Sequence, residues 1–263
     1  MTDSIRLRID GGLARITLNR PARLNAFDEA MAHAWQVACV EATSSDDIGA
    51  ILIDAAGPAF CAGGDVVAMA TAVGTGAGIT ELAHVIHGGI RALVESSVPV
   101  VAAAQGTTAG GGLGILLASD YAIAAADSRI GSRYAGVGLT PDLSVSAQLA
   151  RAVGERRALQ LVLGDRMLSA DEARAWGLIA EVVDAGDVAS RAEAVARSWL
   201  EGATAAFGQA KRLIRSQPTR SFADQLDEEA RTIGAAFDTP DARARIAAFA
   251  QASASAASRK DPR

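Results

Sequence analysis

The chain has 263 residues, half of them hydrophobic, with 30 Asp and Glu against 25 Lys and Arg and a formal charge of −5. That length suits one large domain, or one domain with a helical appendage, and supplies the apolar surface for a sizeable core. Scattered basic residues on an acidic chain argue against a nucleic-acid partner, and the longest apolar runs, such as residues 98–104, are too short to span a bilayer.

The N-terminus shows no basic segment followed by an apolar one, so no leader is expected. The two cysteines, Cys39 and Cys61, have no metal-type spacing. A soluble, cytoplasmic protein without a metal is the expectation. Residues 5–9 alternate apolar and charged, and residues 15–19 continue after Gly11-Gly12, which predicts a hairpin. Pro21 stops the second strand, and Asp28 can cap a helix running to about Thr43. Residues 50–54 read as a short buried strand, followed by a glycine-rich loop over 55–65. Ile79, Leu82, Ala83, Ile86, Ile90 and Leu93 recur at helical spacing and predict a helix over 79–95. Residues 99–104 are wholly apolar, as in a strand covered on both faces. A second glycine-rich turn, 109–114, opens an apolar helix to about Ser119, and 121–125 is another strand. Short helices are predicted at 146–153, 155–163 and 169–176. Four more helices begin at Asp187 and are broken near Gly202, Pro218 and Pro240. Residues 252–263, Ala- and Ser-rich and then charged, read as a frayed tail.

The first two-thirds therefore reads as α/β and the last third as helical. The expected division is a core over 1–200 and a helical region over 201–263. The stretch Gly-Thr-Gly-Ala-Gly at 74–78 follows no strand, so it is not a dinucleotide fingerprint.

Two glycine turns carry the chemical signal: Phe60-Cys61-Ala62-Gly63-Gly64-Asp65 and Ala109-Gly110-Gly111-Gly112-Leu113-Gly114. Each follows a buried strand, and the second leads into a helix. Glycines there permit positive φ and close backbone approach, and a helix N-terminus presents free N–H groups. Two such turns side by side could aim two amides at one oxygen, forming an oxyanion hole. Tight turns with close packing are the plain structural alternative for each. The second turn lacks the Lys-Ser/Thr ending of a phosphate loop.

The surrounding motifs resemble a known family. Residues 16–21, Ile-Thr-Leu-Asn-Arg-Pro, with Leu24-Asn25-Ala26-Phe27, resemble the entry segment of the crotonase (enoyl-CoA hydratase/isomerase) superfamily. The two glycine turns resemble its oxyanion turns, the second framed by Gln105-Gly106 and by residues 118–124. Ala173, Trp176-Gly177-Leu178-Ile179 and Val182-Val183 resemble its core-closing segment. The likeness runs over about residues 5–215 in order and spacing. It implies an α/β spiral of ββα turns with a helical C-terminal region used in trimerisation. It implies a homotrimer or a dimer of trimers, and a small-molecule acyl-coenzyme A thioester as substrate, with no permanently bound cofactor. It also implies that the Gly64 and Gly111 amides hold the thioester oxygen. Ala62, Asp65 and Val66 would lie beside the substrate, and Arg23 would contact coenzyme A. For Asp65 a structural role beside the turn is the alternative, and for Arg23 a solvated surface position.

The sequence departs from the hydratases of this family, which carry two glutamates at positions matched here by Gly114 and Tyr134. Water addition needs a base for the water and an acid for the α-carbon, so plain hydratase activity is not expected. Gly138-Leu139-Thr140-Pro141-Asp142 offers another carboxylate. Its aspartate resembles that of the enoyl-CoA isomerase branch, where one carboxylate moves a proton between carbons α and γ. It also resembles the nucleophilic aspartate of 4-chlorobenzoyl-CoA dehalogenases. His87 matches the water-activating histidine of those enzymes, and Tyr134 falls where they carry a tryptophan. The expected catalytic set is therefore Asp142, His87 and Tyr134, with isomerisation ahead of hydrolytic dehalogenation. A third reading is a catalytically depleted subunit that binds coenzyme A or serves assembly. Asp142 could instead cap the helix that follows, His87 could pack, Tyr134 could be a pocket wall, and His84 is expected to be solvated. Cys61 reads as core filling rather than a nucleophile.

Overall fold

The computed structural model describes residues 4–260, with side chains through residue 253. Strands β1 (Ile5–Asp10) and β2 (Leu13–Leu18) form the expected hairpin, with Asp10 opposite Leu13. Gly11 and Gly12 make its two-residue turn at φ 54° and 81°, a conformation that side chains with a Cβ resist. Helix α1 (Glu29–Ser44) starts where Asp28 accepts a hydrogen bond from the Met31 amide at 2.9 Å. After β3 (Ala50–Ala55) come the first glycine turn, a single turn α2 (Val66–Ala68) and a π-helical segment Met69–Val73. Helix α3 (Gly76–Glu95) begins three residues earlier than its apolar stripe, because the Thr75 hydroxyl caps it through the Gly78 amide.

The chain continues through β4 (Val100–Ala104), β5 (Thr107–Ala109), α4 (Gly111–Ala118), β6 (Tyr121–Ala125) and β7 (Arg129–Gly131). Then follow α5 (Val145–Val153), α6 (Glu155–Val162), β8 (Met167–Ser169), α7 (Ala170–Trp176) and β9 (Glu181–Val183). Helices α8 (Val188–Glu201), α9 (Thr204–Ser216), α10 (Phe222–Phe237) and α11 (Pro240–Lys260) complete it. The four-helix run is as expected, with Pro240 as the first residue of α11. The tail is not: residues 252–260 continue α11, as their alanines favour, and 261–263 lie outside the described residues.

Six strands form the main sheet in the order β1-β2-β3-β4-β6-β9, parallel except for the β1–β2 hairpin. A second sheet, β5-β7-β8, is built of three-residue strands. The period-2 alternation of the buried strands divides the core into two layers. Ile51, Ile53, Val100, Ala102 and Ala104 face the larger core with Trp35, Phe60 and Leu93. Ala50, Leu52, Val101, Ala103 and Ile123 face α8 through Val188, Ala192, Val195 and Ala196. Helices α1 and α3 touch closely because Gly89 leaves room for Trp35, whose Nε1 donates to the Ile86 carbonyl at 3.2 Å. This packing fixes α3, whose other face borders the glycine turns. Among the described residues no helix is long and apolar enough to cross a membrane.

Candidate active site

The first glycine turn is pinned to the chain entry. Phe27 donates to the Gly63 carbonyl at 2.8 Å, Asp65 N–H donates to the Phe27 carbonyl at 2.8 Å, and Ala62 N–H reaches the Leu24 carbonyl at 2.9 Å. Buried Asn25 supports this entry from behind by donating to the Ala56 and Ala59 carbonyls at 2.9 and 2.8 Å. The second turn is pinned to the first, since Ala109 N–H donates to the Cys61 carbonyl at 2.9 Å. Gly110 sits at φ 53°, ψ −123°, a region essentially reserved for glycine, and from there α4 begins at Gly111. The turns touch: a Cβ on Gly63 would meet the Gly111 nitrogen at 3.2 Å. Among the described residues neither the Gly64 nor the Gly111 amide donates to a protein acceptor. Both border a cavity of about 450 Å³.

That cavity is mostly apolar, walled by Phe27, Met69, Ile79, Leu82 and Ile86. Ala62, Val66, His84, His87, Tyr134 and Asp142 also border it, and Asp142 is the only carboxylate among the described lining residues. The Tyr134 hydroxyl donates to Asp142 Oδ1 at 2.5 Å. Burial raises the Asp142 pKa above the ordinary carboxylate range, against the opposing pull of the Tyr134 hydrogen bond. Burial and the neighbouring Asp142 push the Tyr134 phenol far up, so it stays a neutral donor. Asp142 does not cap the following helix; Ser144 occupies that position, in a left-handed conformation without a side-chain cap. His87 Nε2 accepts from the Leu143 amide at 3.1 Å. His84 is exposed at the cavity mouth, with its ring edge-on to His87 at 6.2 Å between centroids.

The remaining expected site residues divide. Asp65 accepts from the Val67 and Ala68 amides at 3.2 and 3.1 Å and pairs with Arg20 at 3.2 Å, so its contacts are structural. Burial works to raise its pKa, but the Ala68 amide and Arg20 hold it below the usual value. Arg23 is exposed and lies outside the cavity lining. Cys61 is fully buried, burial pushes its thiol up to about 12, and it donates to the Asn25 carbonyl at 3.1 Å; it is a packed thiol.

Position 114 explains itself structurally. A Cβ on Gly114 would stand 2.2 Å from the Leu143 carbonyl oxygen and 2.7 Å from the Leu143 Cβ. The backbone that follows Asp142 therefore fills the space a side chain at 114 would need. Arg20 was a site residue that sequence reasoning did not single out. It joins Asp28 at 2.9 Å and Asp65 at 3.2 Å, locking the entry segment to the first glycine turn, and the Arg-Pro pair before a helix cap was its only signal.

The family profile described as enoyl-CoA hydratase/isomerase matches residues 8–255. The 1,2-epoxyphenylacetyl-CoA isomerase of Escherichia coli is 33% identical over 255 residues, covering 95% of this chain and 96% of that protein. A 4-chlorobenzoyl coenzyme A dehalogenase from an Arthrobacter species is 31% identical over 240 residues, covering 90% of this chain and 87% of the other. The crystal structure of an enoyl-CoA hydratase from a Polaromonas species superposes with a TM-score of 0.88 at 28% identity, covering 94% of this chain and 96% of that one. With the paired glycine turns, the spiral that carries them and a match running nearly end to end, this chain belongs to the enoyl-CoA hydratase/isomerase family and has its crotonase fold.

Proposed function

We propose that this protein isomerises the double bond of an enoyl-coenzyme A thioester, with Asp142 as the single acid/base. The observation that carries the reading is a lone, desolvated carboxylate sharing an apolar cavity with two unused backbone amides. In a 3-enoyl thioester, Asp142 takes a proton from the α-carbon. The C–H electrons form an enolate whose oxygen accepts from the Gly64 and Gly111 amides, the same term that is worth on the order of 3 kcal/mol per donor in acyl-transfer sites. Protonated Asp142 then returns the proton at the γ-carbon, leaving the double bond between α and β. No water is consumed, which agrees with a cavity whose described lining residues include no second carboxylate to activate one. Tyr134 orients Asp142, and its high pKa keeps it a donor rather than a second base.

The same cavity bears on the dehalogenase reading. There Asp142 would attack an aryl carbon and His87 would activate water. The Nε2 lone pair of His87 is engaged by the Leu143 amide, which disfavours that role. A steady-state assay with 3-enoyl-CoA and 4-chlorobenzoyl-CoA decides. Turnover of the first alone is expected. Turnover of the second alone favours dehalogenation, and tight coenzyme A binding without turnover favours a depleted binding subunit.

Assembly through the helical region over 201–263 belongs to the same proposal. Ile214, Phe222, Ile233 and Phe249 expose 75, 78, 72 and 76% of their surface, far more apolar area than isolated surface residues need. Copies of this chain in a homotrimer are the proposed cover, and light scattering at micromolar concentration is expected to give three chains or a multiple of three. A monomer there would sink the assembly reading.

A further inference from the structure

Asp142 stands on an unusual turn. The two residues after it, Leu143 and Ser144, adopt left-handed φ values of 46° and 67°, although neither is glycine. Such residues persist only where the surroundings over-determine them. Here two contacts hold the same residue, one on each of its flanking peptides. On one side the Leu143 carbonyl occupies the space left by the missing side chain of Gly114. On the other, the Leu143 amide donates to His87 Nε2 at 3.1 Å, across 56 positions of sequence. Leu143 is 3% exposed, so no solvent competes for that amide.

We propose that His87 is a positioning residue: it holds the Leu143 turn, and through it the Asp142 carboxylate, beside the Gly64 and Gly111 amides, and it carries no proton in the reaction. The inference rests on reading Asp142 as the acid/base. It joins Gly114, the position of a missing hydratase glutamate, and His87 into one arrangement. Gly114 admits the turn, and His87 fastens it. A ring nitrogen that accepts an amide proton carries none of its own, so in this arrangement the His87 proton sits on Nδ1. Hydrogen bonds of this kind act on rate through placement, because a shift of about 1 Å in a reacting group can cost on the order of a hundredfold.

The test uses the full chain with His87→Leu, which removes the acceptor, and His87→Gln, whose amide oxygen can replace it. Two quantities are read: hydrogen exchange at the Leu143 amide, and kcat and KM with a 3-enoyl-CoA. In His87→Leu the Leu143 amide is expected to lose at least about tenfold in protection while core amides of α4 keep theirs. Its kcat is expected to fall by about ten- to a hundredfold with KM within about threefold, and His87→Gln to recover at least about tenfold of the loss. Equal loss of kcat in both variants with Leu143 still protected would put His87 in the chemistry and overturn the inference. So would a His87→Leu protein that keeps the wild-type kcat or the wild-type Leu143 protection. Failure of the acid/base reading has a different signature, an Asp142→Asn protein with unchanged kcat, and it leaves the exchange result standing.

Discussion

Asp142→Asn is expected to lower kcat by roughly a hundredfold or more, the scale of losing a general base, while the fold and thioester binding persist. Asparagine keeps an oxygen to accept the Tyr134 hydroxyl and has nearly the volume of aspartate, so the turn and the cavity are preserved. What disappears is the lone pair that takes the proton. The Gly64 and Gly111 amides and the apolar walls are untouched, so the dissociation constant of an unreactive acyl-CoA should move by less than about threefold. The wild-type pH profile should report the same group. A base must be ionised to act, and burial raises the Asp142 pKa, so kcat/KM falls as pH drops through a midpoint above the ordinary carboxylate range. That acid limb should be absent from the residual activity of Asp142→Asn. Steady-state kinetics across pH measures both. An unchanged kcat in the variant removes Asp142 from the mechanism.

The second large effect lies far from the cavity. Lys211 of α9 is 7% exposed and its ammonium uses all three protons: on the Leu93 carbonyl at 2.7 Å, the Val98 carbonyl at 2.6 Å and Asp120 Oδ2 at 3.0 Å. Burial pulls its pKa down and Asp120 opposes that pull. The side chain thus ties the last third of the chain to the end of α3 and to the approach to β4. Arg215 of the same helix adds Asp120 Oδ1 at 2.9 Å and the Ser119 carbonyl at 2.6 Å. Lys211→Met fills the space but strands the buried Val98 carbonyl and takes the ammonium from Asp120, while the Leu93 carbonyl keeps the Ser96 hydroxyl at 3.1 Å. The expected loss is about 3–5 kcal/mol of unfolding free energy, as when one partner of a buried ionic contact is removed. Urea denaturation checks it, and a change below about 1 kcal/mol would show that the Val98 carbonyl finds another donor. The kcat of the folded protein should be unaffected, since no atom of Lys211 borders the cavity.

Much of this molecule is written locally in its chain. The Gly11-Gly12 hairpin, the Asp28 cap, the apolar strands and the stripe on α3 follow from turn chemistry and from periods of two and 3.6 residues, which neighbours in sequence suffice to display. The glycine turns were also legible, because close backbone approach leaves a mark in composition, and Asp142 was singled out by the resemblance of its segment to the isomerase branch. The tertiary structure decided what depends on partners remote in sequence. The sheet β5-β7-β8 escaped notice because three-residue strands are too short to show a period. Gly114 reads in sequence only as a missing glutamate; its contact with Leu143 gives it a cause. His87 reads alone as a base or a packing residue, and only the fold brings Nε2 onto an amide 56 residues away. Lys211, one basic residue among many in sequence, becomes a buried tie because helix docking removes water and leaves three oxygens around one ammonium.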